Sequence, residues 1–207
     1  MHNEWDDLKE SLGLTPAKGY LPSAEFKDLD LQARVVRLPK GHVLPAADKP
    51  EVYVLHTGVL ICAVEPAGRS DTAGPAKPAK PVIDNILWKP GTMYFDIHRV
   101  AGVPVRERVI AAENAVLIAV PIAAADAVNM GDAHLFRLYA KRHEENLADL
   151  RTRKNTLLCM SAPERYDWFL ENYPGLIDRV QHRRIASFLC MTPVSLSRIR
   201  RTKRVKS

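Results

Sequence analysis

Residues 182–207 read H-R-R-I-A-S-F-L-C-M-T-P-V-S-L-S-R-I-R-R-T-K-R-V-K-S. The stretch carries eight positive charges, on Arg183, Arg184, Arg198, Arg200, Arg201, Lys203, Arg204 and Lys206, and no carboxylate. The whole chain has a formal net charge of +6, so everything before residue 182 is net acidic. Basicity concentrated at one end is the electrostatic footprint of an element that neutralises phosphates. The local pattern predicts a helix over Arg183 to Leu189, with Ile185, Phe188 and Leu189 inward at helical spacing. Cys190 and Met191 then form a tight turn. Thr192 is a good N-cap, and Pro193 suits the first helical position, where its missing N–H costs nothing. Leu196 and Ile199 face back onto the first helix, which leaves Val194, Ser195, Arg198, Arg201 and Thr202 outward. Two short helices at a tight turn, the second basic on its outer face, read as a helix-turn-helix. The plainer alternative is a basic amphipathic helix on a solvated surface.

Upstream of the motif stand Arg165, Tyr166 and Pro174. Together with Ile185, Ala186, Leu189, Thr192, Pro193 and the run Ser195-Leu196-Ser197-Arg198-Ile199-Arg200, they resemble the helix-turn-helix signature of the cyclic-AMP receptor protein and Fnr (Crp/Fnr) family of bacterial transcription regulators. Two positions depart from that pattern. Cys190 stands where the family usually has the turn glycine, and Val194 stands where an acidic, cytosine-reading residue is common. The resemblance implies DNA-contacting roles for Arg183, Thr192, Val194, Ser195, Arg198, Arg201 and Lys203. It implies double-stranded DNA and a second copy of the chain as partners, with RNA polymerase a further candidate. Arg165 is expected to pair with an acid or cap a helix.

Composition excludes several other classes. Charged residues at 26% and hydrophobic residues at 46% are ordinary for a globular chain. No apolar run of about 18 or more residues predicts a transmembrane helix, and the acidic start M-H-N-E-W-D-D lacks the apolar core of a signal peptide. Cys62, Cys159 and Cys190 are odd in number and far apart, which suits reduced thiols in a cytoplasmic protein rather than a disulfide frame or zinc site. Fnr-like oxygen sensors hold an iron–sulfur cluster on four cysteines, so no such cofactor is expected here.

Along the chain, residues 3–12 predict a short acidic helix and Ser23 begins another. Strands are expected at 33–38, 52–55, 59–64, 82–88, 92–97, 106–111 and 115–120, with Val52–Leu55 and Val59–Val64 forming a hairpin about Thr57-Gly58. Pro66–Pro81 reads as a long hairpin tip, with a partner-docking loop as the functional alternative. Regularly spaced short strands suggest an antiparallel barrel or jelly roll. Residues 31–121 resemble the family's effector domain through Gly41, Tyr53, Leu55, Gly58, Gly91, Arg106, Ala112, Ala115 and Ala119. The fold class is therefore α+β. Residues 1–131 form the β-barrel effector domain, 132–160 a dimerisation helix and 161–207 the DNA-binding domain. Leu135, Leu138, Leu147, Leu150 and Leu157 mark a heptad-like seam on that long helix. A helix packed only on its own chain is the alternative.

Other chemistries fit less well. His143-Glu144 begins an H-E-x-x-H pattern, but Leu147 occupies the second ligand position. His42, Glu51 and His56 would supply too few imidazoles for a cupin metal. No phosphate-cradling or nucleophile-elbow motif occurs, so the chain is not read as an enzyme. Family members that bind cyclic nucleotides hold the ribose on a Gly-Glu pair and the phosphate on an Arg followed by Ser or Thr. Here Phe95-Asp96 and Arg106-Glu107 stand at those positions. The pocket is degenerate, no response to cyclic AMP is expected, and the effector is unassigned. The rival functional reading is a ligand sensor whose DNA-binding domain has decayed and which acts through protein partners.

Overall fold

The computed structural model describes residues 4–11, 32–45, 49–66, 81–95, 105–131 and 133–204. A short helix α1 (Glu4–Ser11) is followed by strands β1 (Arg34–Leu38), β2 (Glu51–Thr57), β3 (Leu60–Pro66), β4 (Val82–Leu87), β5 (Met93–Phe95), β6 (Val105–Ala111) and β7 (Ala115–Pro121). Helices α2 (Ile122–Gly131), α3 (Ala133–Cys159), α4 (Ala162–Asn172), α5 (Leu176–Arg179), α6 (His182–Phe188) and α7 (Pro193–Arg204) complete the chain. The strands form two antiparallel sheets, ordered β1-β7-β2-β5 and β4-β3-β6. The helix expected from Ser23, the interior of the Pro66–Pro81 segment and Asp96 lie outside the described residues.

The hairpin expected about Thr57-Gly58 does not form. β2 pairs with β5 and β7, whereas β3 pairs with β4 and β6. Gly58 carries the chain from one sheet to the other at φ +100, and a Cβ there would meet the Ala115 Cα at 2.6 Å. Only glycine satisfies both that dihedral and that approach. The turn signal was sound, but loop length and sequence do not say which sheet receives the next strand. A second departure is α2, where Pro121-Ile122 passes straight from strand into helix ahead of the long α3.

β3 explains the placing of the core. Leu60 and Cys62 face one cluster between the sheets, with Tyr53, Leu55, Val109, Leu117 and Ala119. Ile61 and Ala63 face the opposite way, into a cluster shared with Ile83, Phe169, Ile185 and Phe188. The three-stranded sheet is therefore buried on both faces, and its second cover is made of the C-terminal helices. A continuous apolar run such as Val59–Val64 is what a doubly covered strand requires. Burial of each such side chain is worth about 1.5–3 kcal/mol, so this contact is a principal source of stability.

Glu51, weighed above as a cupin ligand, is engaged by neighbouring side chains. Its carboxylate accepts from Arg34 Nε at 3.2 Å, from Arg34 Nη2 at 2.6 Å and from the Tyr53 hydroxyl at 2.6 Å. It is a satisfied buried acid that ties β1 to β2.

Candidate nucleic-acid interface

α6 is only seven residues long, yet Ile185, Ala186, Phe188 and the following Leu189 are buried. Four apolar residues on one short helix anchor it by packing, since so short a helix has no stability of its own. It ends in a tight turn. Cys190 N–H donates to the Ser187 carbonyl at 3.0 Å and Met191 N–H to the Ala186 carbonyl at 2.9 Å. Cys190 adopts φ 50, the left-handed conformation for which glycine is the usual choice.

α7 starts as its sequence dictates. The Ser195 N–H donates to Thr192 Oγ1 at 3.0 Å, which satisfies one of the helix's unpaired donors, and Pro193 occupies the first position. Leu196 is fully buried against α6, and Ile199 packs on the same cluster. Val194 is 79% exposed. Arg198 and Arg201 are exposed on the same outward side, and among the described residues neither guanidinium has a hydrogen-bond partner. These are the side chains a helix needs free if it is to meet base edges and phosphates.

Other cations are partly engaged. Arg183 Nε donates to Gln181 Oε1 at 3.1 Å. Burial, and then the charge of Arg183, lower the pKa of Arg184 below the usual arginine value. Arg200 Nη1 lies 3.2 Å from His182 Nδ1, and His182 Nε2 lies 3.1 Å from Ser197 Oγ. A guanidinium can only donate, so Nδ1 is the acceptor and Nε2 carries the proton. Lys203 pairs with Asp167 of α4 through both carboxylate oxygens, so this ammonium meets a phosphate only in competition with that acid. Sequence reasoning did not find this pairing, because residues on two separate helices meet only after folding.

Of the residues assigned to the effector pocket, Asp96 and the side chains of Phe95 and Arg106 lie outside the described residues. Phe95 ends β5 opposite Val52, in the four-stranded sheet. Arg106 and Glu107 lie on β6 opposite Glu65 and Val64, in the other sheet. Glu107 and Asp84 add to the rise in the pKa of the buried Cys62 thiol, a rise dominated by burial. A cleft of about 210 Å³ opens where β4, α3 and α4 meet, with Trp88, Trp168, Tyr173, Asn146 and Asp149 in its walls. Lys89 and Asp149 face each other there at 3.7 Å. Its aromatic residues were visible in the sequence, but nothing in their spacing marked them as neighbours.

Along α3, Phe136, Leu147, Leu150 and Leu158 are exposed at 51%, 54%, 43% and 74%. They recur near multiples of the helical repeat and so share one side of the helix. Leu157 is half-buried, and the side chains of Leu135 and Leu138 lie outside the described residues.

Among solved structures this chain is similar to FixK2 from Bradyrhizobium japonicum, at 17% identity over 84% of this chain and 85% of that one, with a TM-score of 0.64. It is also similar to a variant of CooA from Carboxydothermus hydrogenoformans, at 18% identity over 96% and 84%, with a TM-score of 0.65. A third likeness is to a transcriptional regulator of the crp/fnr family from Eubacterium rectale, at 13% identity over 94% and 88%, with a TM-score of 0.62. The chain has the fold of the Crp/Fnr regulators. No family model and no curated protein matches the sequence.

Proposed function

We propose that this chain is a DNA-binding transcription regulator of the Crp/Fnr type, acting as a cytoplasmic homodimer on an inverted-repeat operator. Residues 1–131 form a jelly-roll effector domain, 132–160 the dimerisation helix and 161–207 a helix-turn-helix domain. The outward face of α7 carries this reading: Val194, Arg198 and Arg201 stand exposed on a helix whose other face packs Leu196 and Ile199 onto the core. Arg198 reads a guanine edge and Val194 contacts a thymine methyl, while Arg183 and Arg201 neutralise phosphates and Thr192 and Ser195 support the helix start.

The exposed apolar side of α3 supports pairing with a second copy, since Phe136, Leu147, Leu150 and Leu158 would be covered by their counterparts. Two-fold symmetry then sets the recognition helices about 34 Å apart, with half-sites about 10 bp apart centre to centre. The protein is a regulator rather than an enzyme, and it does not answer to cyclic AMP.

Selection of duplexes from a random pool tests the proposal. The expected product is an inverted repeat bound by a dimer, with affinity falling steeply as salt rises. Failure to enrich any sequence, or enrichment of a single asymmetric site by a monomer, would overturn it.

A further inference from the structure

Arg153 sits on α3 and its side chain is only 12% exposed. Its guanidinium reaches two other elements at once. Nη2 donates to the Ile83 carbonyl of β4 at 3.2 Å and to the Phe188 carbonyl at the end of α6 at 3.1 Å. The guanidinium carbon lies 4.6 Å from the centroid of the Phe188 ring, in cation–π range. Nη1 lies 3.8 Å from Asp84. Beside this contact the Ile83 N–H donates to Ser187 Oγ at 3.0 Å. Phe188 is fully buried and stacks on Trp168 at 6.4 Å between centroids.

The long helix, the sheet and the first helix of the DNA-binding pair thus meet at one side chain. A buried arginine is costly unless its donors are met, and its Nε has no hydrogen-bond partner among the described residues. An apolar residue would fill that volume without the desolvation cost, so stability alone does not account for the choice. What a planar fork provides, and an apolar chain cannot, is a fixed angle between the groups it bridges.

We propose that Arg153 is a positioning residue that sets the orientation of α6, and through it of α7, relative to α3. In a dimer built along α3, that orientation determines the distance and phase between the two recognition helices. Arg153 therefore governs half-site spacing without touching DNA. This rests on the proposed DNA-binding dimer.

The test uses the full-length protein and the duplex it selects, together with derivatives carrying one base pair more or fewer at the dyad. The wild-type protein should disfavour the altered spacings by about tenfold or more, because a rigid pair cannot engage both half-sites. Arg153→Met should bind the selected duplex less tightly, keep its affinity for an isolated half-site, and reduce the spacing preference to about twofold. Arg153→Lys keeps the charge but not the fork, and should fail to restore the preference. Wild-type spacing preference in Arg153→Met would overturn the proposal. If that variant does not fold, the decision passes to Arg153→Lys, whose unchanged preference would do the same. Hydrogen exchange separates this inference from the DNA reading. Faster exchange at the Ile83 amide and across α6 in Arg153→Lys, with β7 still protected, is expected even if the wild-type protein selects no duplex. Unaltered exchange there would end the proposal.

Discussion

Arg165 Nη1 donates to the Leu189 carbonyl at 2.7 Å and to the Cys190 carbonyl at 3.2 Å. These are the carbonyls at the C-terminal end of α6, where no helical N–H remains to satisfy them. The arginine caps the helix from α4, which accounts for the expectation that it serves the fold rather than DNA. Hydrogen bonds to charged donors are worth about 1.5–3 kcal/mol, so Arg165→Met should lower unfolding stability by about that amount. Denaturant titration monitored by circular dichroism measures it. A loss below about 0.5 kcal/mol would refute the capping role.

Cys190 holds the turn at φ 50 with a side chain that glycine would spare. A left-handed residue with a Cβ costs about 1–2 kcal/mol, offset in part by the chain entropy glycine adds to the unfolded state. Cys190→Gly should therefore raise stability by up to about 1 kcal/mol, and Cys190→Val should lower it. Both are read from denaturation midpoints. A destabilised glycine variant would mean that the thiol makes a contact offsetting the strain.

For α7, the predictions separate reading from anchoring. Arg198→Ala should cost about 1–3 kcal/mol and relax preference at one base pair of each half-site. Arg201→Ala should weaken all sequences alike and flatten the salt dependence by about one counterion. Competition binding across single-base variants distinguishes the two. An unchanged motif with Arg198→Ala would move the reading face elsewhere on the helix.

These outcomes bear on what could be read before folding. Thr192-Pro193, the Ile185/Phe188/Leu189 spacing and the charge run specify α6 and α7 through local chemistry, and local chemistry is legible in a sequence. Sheet membership is not local. Thr57-Gly58 marks a turn whether the chain doubles back or crosses to another sheet, and only the close contact with Ala115 decides between them. The apolar run Val59–Val64 suits a strand covered on both faces, but it does not say that helices from residue 162 onward supply the second cover. The Arg153 and Lys203 contacts join residues 35 and 36 positions apart, and periodicity carries no information at that range.

Tyr173 gives a pH prediction. Burial, and secondarily the charge of Asp149, push its phenol up to about 12, while Arg153 opposes the rise. The folded protein therefore favours the neutral phenol more than the unfolded chain does. The associated stability is fully present below the unfolded value of about 10 and is lost as pH climbs towards 12. Tyr173→Phe should show a shallower loss of stability across that window. Equal slopes for the two proteins would show that the phenol does not ionise with unfolding.

The last prediction concerns cyclic AMP. A cyclic phosphodiester carries one negative charge and needs donors around it. On the proposed alignment Arg106 would supply a guanidinium, and Glu107 would replace the hydroxyl donor beside it. At about 4 Å, such a carboxylate costs about 1–4 kcal/mol between the bulk-water and surface limits. On the sequence alignment proposed for the pocket, Phe95 replaces the glycine that lets backbone approach the ligand. On α3, Asp149 faces Lys89 at 3.7 Å. A ligand shifts a conformational equilibrium only by its differential affinity for the two states, so impaired binding leaves little to transmit. Titration calorimetry with cyclic AMP and with cyclic GMP should show no saturable heat at micromolar ligand. Micromolar binding that disappears in Arg106→Ala would restore the cyclic-nucleotide mechanism and require Glu107 to be turned away from the phosphate.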